Sequence, residues 1–237
     1  MSLWVDKYRP TSLDTLDYHP EITARLQEMT LNGDLPHLLI YGPSGAGKKT
    51  RISAILREIY GIRSEKLKID VRQFETPSKK KLEITLISSS YHVEITPSDL
   101  GNSDQLVIQD LIKEMAQTKQ IDTNAKHKYK IVVINEADSL SRNAQAALRR
   151  TMEKYMSNLR IILCCNVTSK IIAPIRSRCM MLRIPCPSNE TVIKVLQSCA
   201  KNEKLGLPNT VAERIAQACE GNLRKALLML ESLYVQQ

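Results

Sequence analysis

The sequence is poor in residues that stack on nucleobases. Trp4 is its one tryptophan and Phe74 its one phenylalanine, beside eight tyrosines in 237 residues. An aromatic platform for single-stranded nucleic acid is therefore not expected. Six cysteines, at 164, 165, 179, 186, 199 and 219, form no C-x-x-C pair. That spacing argues against structural zinc, and no metal is expected to be held by them. Cysteines in apolar runs suit buried thiols of a reducing compartment, cytosol or nucleus. No apolar stretch is long enough to cross a bilayer, and no signal-peptide pattern opens the chain, so no membrane partner is expected. What is present is ordinary for a globular protein: 43% hydrophobic and 25% charged residues, enough chain for one large or two small domains. The net charge of +9 favours an anionic partner, with nucleic acid the natural candidate. A merely solvated basic surface would read the same way.

Two further absences lie inside a nucleotide site. Gly42, Pro43, Ser44, Gly45, Ala46, Gly47 and Lys48 form a phosphate-binding loop directly after the apolar run Leu38–Tyr41. The glycines let the backbone wrap round phosphate, the following helix N-terminus adds positive potential, and Lys48 reaches the β- and γ-phosphates. The pattern then asks for Ser or Thr to ligate Mg²⁺. Lys49 stands there instead, and an ammonium only donates. Thr50 has a hydroxyl, but one helical step turns it roughly 100° away. Later, the run Ile131–Ile134 ends in Asn135-Glu136-Ala137-Asp138, where such proteins place a metal-holding Asp first. Asn135 offers only a neutral carbonyl. ATP or ADP is expected to bind, with Mg²⁺ held poorly. Lys49 either stands in partly for the missing cation or points to solvent. Glu136, positioned as the base for attacking water, is expected to be idle.

The surrounding pattern is strand–loop–helix. Pro20–Leu31 and Lys48–Tyr60 read as helices, the latter with Ile52, Ile55, Leu56 and Ile59 on one face. The segment Trp4–Pro10 reads as extended. Lys66–Val71 reads as a strand. Within 72–104, alternation at Leu82, Ile84, Leu86 and at Tyr91, Val93, Ile95 predicts an inserted β-hairpin, with Lys79, Lys80 and Lys81 as a solvated loop. Ser103 is placed to cap a helix to about Lys119, and 121–128 reads as a loop. Strands at 130–135, 159–166 and 180–184, with a helix at 143–155, predict a parallel sheet covered on both faces. After Pro185-Cys186-Pro187 the pattern is wholly helical. Thr210 and Glu213 suit a capping box, Gly221 a stop and Asn222 a cap. An α/β domain over 1–184 and a small helical domain over 185–237 are expected.

Other residues carry chemistry by position. Asn166 ends a strand, where it can touch a γ-phosphate or serve as a turn residue. Arg178, in Ser177-Arg178-Cys179, can act in trans as an arginine finger or be an ordinary ion-paired arginine. Arg149, Arg150 and Lys154 share a helix and could track a DNA backbone, although Glu153 lies four residues from Arg149.

These motifs occur in a recognisable order: Trp4-Val5-Asp6-Lys7-Tyr8-Arg9-Pro10, the loop at 42–50, Asn-Glu-Ala-Asp at 135–138, Ala-Ala-Leu-Arg-Arg-Thr-Met-Glu at 146–153, Ser-Arg-Cys at 177–179 and Gly-Asn-Leu-Arg at 221–224. The chain resembles the AAA+ small subunits of eukaryotic replication factor C along its whole length. The insertion, the Lys49 loop and the Asn-first box together look like one subunit type within that family. The resemblance implies an AAA+ P-loop NTPase core with an all-α lid, and a nuclear, ATP-driven heteropentamer that loads the PCNA sliding clamp at primer–template DNA. It implies Val5, Lys7, Tyr8 and Arg9 near the adenine side, Asn166 and Arg224 as the two sensors, and Arg178 as the finger for a neighbouring subunit. The family's C-terminal collar domain has no counterpart here, so the sequence is expected to be a fragment. The competing expectations are a competent ATPase in which Thr50 and Glu136 rescue the metal, and a stand-alone P-loop kinase or helicase.

Overall fold

A computed structural model describes residues 2–16, 18–31, 33, 35–75, 81–97, 104–117 and 129–236. Its elements, in chain order, are α1 (Trp4–Lys7), α2 (Pro20–Leu31), β1 (Leu38–Tyr41), α3 (Lys48–Tyr60), β2 (Lys68–Glu75), β3 (Lys81–Ser88), β4 (His92–Ile95), α4 (Asp104–Gln117), β5 (Lys130–Ile134), α5 (Arg142–Lys154), β6 (Leu159–Cys165), α6 (Ala173–Arg176), β7 (Met180–Arg183), α7 (Asn189–Asn202), α8 (Asn209–Cys219) and α9 (Leu223–Val235). The chain forms two compact units. One comprises Met1–Gln27, Gly42–Ile55 and Ile184–Gln237; the other comprises Glu28–Tyr41 and Leu56–Arg183.

The second unit holds a seven-stranded sheet in the order β2-β3-β4-β5-β6-β1-β7. From β4 to β7 all pairings are parallel, with Tyr41 opposite Cys165 and Ile134 opposite Leu163. The central strands are apolar on both faces because helices cover both, as the uninterrupted Ile/Val/Leu runs require. Their inward residues pack with α4 and α5 through Ile108, Leu111, Ile112, Ala144, Leu148 and Met152.

The expected parallel core is extended at one edge by antiparallel strands. β2 and β3 form a long antiparallel hairpin from Lys68–Ser88 to Glu75–Lys81. β3 meets β4 antiparallel over two residue pairs, and β4 then runs parallel to β5. The hairpin expected between the 82–86 and 91–95 runs is present as the short β3–β4 pairing, but β3 pairs over its full length with β2, and β4 also joins the parallel core, where Val93 and Ile95 are buried. Lys79, Lys80, the Ser103 cap and the 121–128 loop lie outside the described residues.

In the first unit, α7, α8 and α9 bury Val192, Leu196, Ile215, Ala226 and Leu230 together. Trp4 joins this core, its ring 5.1 Å from that of Tyr234. That anchoring explains why the segment expected to be extended forms α1: the Leu3 carbonyl accepts from Asp6 and Lys7, and Pro10 restrains only the residue before it. α8 begins at Asn209 after Pro208, one residue ahead of Thr210, with no side-chain cap. The capping box expected at Thr210 and Glu213 is absent because the helix already starts one residue before Thr210, with Pro208 in the N-cap position.

Candidate functional site

In the first unit the phosphate loop follows β1 and runs into α3. Gly45 and Gly47 have φ of +74° and +82°. A Cβ at Gly45 would stand 1.8 Å from Asn222 Oδ1, and one at Gly47 would stand 1.9 Å from the Tyr18 hydroxyl. Conformation and space therefore both demand glycine. Lys48 Nζ donates to the carbonyls of Gly42 and Pro43, each at 2.8 Å, so its ammonium is folded over the loop. Lys49 is exposed and Thr50 half-buried on the first turn of α3.

The N-terminus of α9 sits on this loop. The Leu223 amide donates to the Gly45 carbonyl at 3.2 Å. Asn222 caps the helix by accepting from the Lys225 amide at 3.1 Å. Arg224, exposed in the first turn, is thereby brought to the loop's neighbourhood. Reading Asn222 only as a cap missed its second task, filling the space that Gly45 leaves. From the floor, the Tyr18 hydroxyl donates to the Ala46 carbonyl at 3.2 Å.

The N-terminal residues meet the lid helices. Lys7 Nζ and the Tyr8 hydroxyl both donate to one Glu203 oxygen, at 2.6 and 2.5 Å. That pairing holds the Glu203 carboxyl below its usual range and raises the Lys7 ammonium and the Tyr8 phenol. Arg9 pairs with Asp6 at 2.7 Å, and Val5 packs at the edge of the helical core. Sequence spacing carried no sign of Glu203, which lies some two hundred residues away.

In the second unit, the carboxyl ends of β5 and β6 carry the remaining candidates. Asn135 is buried, and among the described residues its Oδ1 has no hydrogen-bond partner. Glu136 is exposed, with left-handed backbone at φ +50°. Asp138 accepts from the amides of Asn166 and Val167 at 3.2 and 3.4 Å, which fixes the exposed turn carrying Asn166. The donor chemistry at this edge is a neutral amide oxygen where a divalent ion would want a carboxylate.

Arg178 is exposed beyond α6. Its Nε and Nη2 both donate to Glu153 Oε1, at 2.7 and 2.5 Å, and its Nη1 donates to the Pro174 carbonyl at 2.8 Å. Glu153 also pairs with Arg149 at 3.5 Å. The ion pair foreseen within α5 is thus shared with Arg178. Arg150 and Lys154 are exposed beside it, with the Lys154 ammonium 5.2 Å from the Tyr155 ring centre. Next to Arg178, burial pushes the Cys179 thiol up to about 12, leaving it an inert apolar filler. No helix of the described residues is long and apolar enough to cross a membrane.

Comparison with known proteins places these motifs in a wider set. A family model described as DNA polymerase III, delta subunit, matches residues 18–188, and one described as RCF1/5-like, AAA+ ATPase lid domain, matches 194–235. The chain is 58% identical over 237 residues to replication factor C subunit 3 of Mus musculus, spanning all of this chain and 67% of that relative. It is 57% identical over 236 residues to replication factor C subunit 5 of Neurospora crassa, with the same coverage. The Saccharomyces cerevisiae subunit 5 is 54% identical over 240 residues, covering 98% of this chain and 68% of its own. Among solved structures, a mutant of Thermotoga maritima RuvB superposes with a TM-score of 0.67 at 16% identity, covering 94% of this chain and 64% of its own. That likeness shows the fold: an α/β P-loop core with lid helices.

Proposed function

Because this chain belongs to the replication factor C small subunits, an AAA+ clamp-loader family, we propose that it holds ATP or ADP with little or no hydrolysis of its own and lends Arg178 to a neighbouring subunit's nucleotide site. Its setting is a nuclear heteropentameric ring that loads the PCNA clamp onto primer–template DNA during replication and repair. Arg149, Arg150 and Lys154 face the DNA backbone in that setting. Val5, Lys7, Tyr8 and Arg9 flank the purine, and Asn166 and Arg224 sense the terminal phosphate.

The reading is carried by one contrast. An exposed, firmly oriented Arg178 coexists with Lys49 in the phosphate loop and Asn135 at the end of β5, the two positions where the family pattern places metal-holding groups. Relative to a hydroxyl and a carboxylate, Lys49 adds one positive charge and Asn135 removes one negative charge. Across a few ångströms that is worth on the order of several kcal/mol, against a divalent ion and in favour of phosphate. Loop, lysine and α3 still fit the phosphates. A bound Mg²⁺, where retained, would neutralise phosphate charge; Lys48 and the loop amides orient the phosphates without it.

Calorimetry of ATP binding with Mg²⁺ and with EDTA, paired with steady-state hydrolysis, tests this. Similar affinity in both and negligible turnover are expected. Ordinary P-loop turnover by the lone chain would show that Thr50 and Glu136 restore the metal site.

A further inference from the structure

Arg51 is the largest fully buried side chain among the described residues, with no solvent exposure. It lies on the first turn of α3, three residues after Lys48. Its Nη1 donates to Thr23 Oγ1 at 3.0 Å and its Nη2 to the Tyr18 carbonyl at 2.5 Å. The guanidinium carbon lies 4.9 Å from the centre of the Tyr18 ring. Every one of these partners is neutral. Among the described residues Nε has no hydrogen-bond partner, and no carboxylate meets the guanidinium. Arginine cannot shed its proton as a buried lysine can. Among the described residues, a full positive charge is therefore sealed in the interior without a counter-ion, an arrangement that by itself works against folding.

The surroundings say what the charge faces. The Arg51 amide donates to the Gly47 carbonyl at 3.1 Å. The Tyr18 ring that the guanidinium rests on reaches the loop with its hydroxyl, bonded to the Ala46 carbonyl at 3.2 Å. The same hydroxyl closes the space beside Gly47. The cation thus lies one tyrosine ring beneath the phosphate loop. Positive potential acts there through protein rather than water, where it is screened least.

We infer that Arg51 is an interior cation of the nucleotide pocket, whose missing counter-ion is the polyphosphate of the bound nucleotide. It touches no phosphate; it acts by field, from below, where Lys48 acts by contact. In this pocket it makes up for divalent charge that Lys49 does not recruit. The inference rests on the nucleotide-holding role proposed above. It also names the ligand class: a purine di- or triphosphate bound without a metal ion.

The test uses the whole 237-residue chain, with ATP and ADP as probes in EDTA. Arg51→Met keeps bulk and removes charge; Arg51→Lys keeps charge. Ligand-free R51M is expected to unfold at or above the wild-type temperature, because an uncompensated charge is gone. Its affinity for both nucleotides should fall about tenfold or more, the scale of one charge at mid-range dielectric. The rise in melting temperature on adding nucleotide should shrink in step. R51K should bind more tightly than R51M. A strut that merely holds Tyr18 and Thr23 predicts the reverse pattern: R51M melts lower or fails to fold, and this outcome overturns the inference. Wild-type affinity in R51M overturns it too. A wild-type chain that binds neither nucleotide overturns the holding role along with it.

Discussion

Burial decides the protonation of His92. The ring is 2% exposed, and desolvation of the imidazolium lowers its pKa from 6.5 to about 4. Ser89 Oγ lies 2.7 Å from Nδ1, while the Glu94 carboxylate, 3.9 Å from Nε2, pulls the other way and loses. The folded pKa lies below the unfolded one, so the neutral ring belongs to the fold. Its contribution is complete above pH 6.5 and is lost as pH falls from 6.5 toward about 4, by about 3 kcal/mol over the window. Urea unfolding between pH 4.5 and 7 should show a shallower acid loss in His92→Gln than in the wild type. Equal slopes would refute the assignment. Residue identity made other readings direct: the proposal of a weakened metal site follows from Lys49 lacking a ligand oxygen and Asn135 lacking a carboxylate's charge. Arg51 went unnoticed, since an arginine after a loop lysine reads as surface until its burial is seen.

At the scale of elements, α4 and α5 show how a helix start becomes a joint. Ser141 caps α5 by accepting from the Ala144 amide, while its own amide and hydroxyl both donate to Asp104, the first residue of α4, at 2.7 and 2.9 Å. Asp104 is 2% exposed. Ser141→Ala should cost about 1 kcal/mol, as caps do. Asp104→Ala should cost more, about 1–3 kcal/mol, since it removes two hydrogen bonds to a buried carboxylate. Guanidinium unfolding with an unchanged slope checks both, and a neutral Asp104→Ala would deny the joint. Helices and apolar strands were legible because period and run length reflect which faces are buried. The β2–β3 pairing was not, because alternation at Ile84 and Leu86 fits an antiparallel partner on either side. Nor was α1, whose four residues are helical through the burial of Trp4 rather than through propensity.

For the assembled ring, the prediction concerns Arg178 and Glu153. Replacing Arg178 with Ala should slow the site it is proposed to complete by on the order of a thousandfold, leaving nucleotide binding by this chain unchanged. ATPase of the assembled complex then falls by that site's share; unchanged turnover would end the finger assignment. Glu153→Gln should give a milder loss, because an exposed ion pair contributes about 1 kcal/mol or less and the Pro174 carbonyl still holds the guanidinium. By itself the sequence determined the P-loop class, the lid, the family and the identities of Lys49 and Asn135, on which the proposed weakness of metal binding rests. These follow from residue type and local spacing, which survive in one dimension. Only tertiary structure decided that Glu153 holds Arg178, that Glu203 gathers Lys7 and Tyr8, that Asn222 seals Gly45, and that Arg51 is a buried cation whose partners among the described residues are all neutral. Each depends on groups far apart in the chain meeting away from water, where a charge or a missing Cβ acquires its energy.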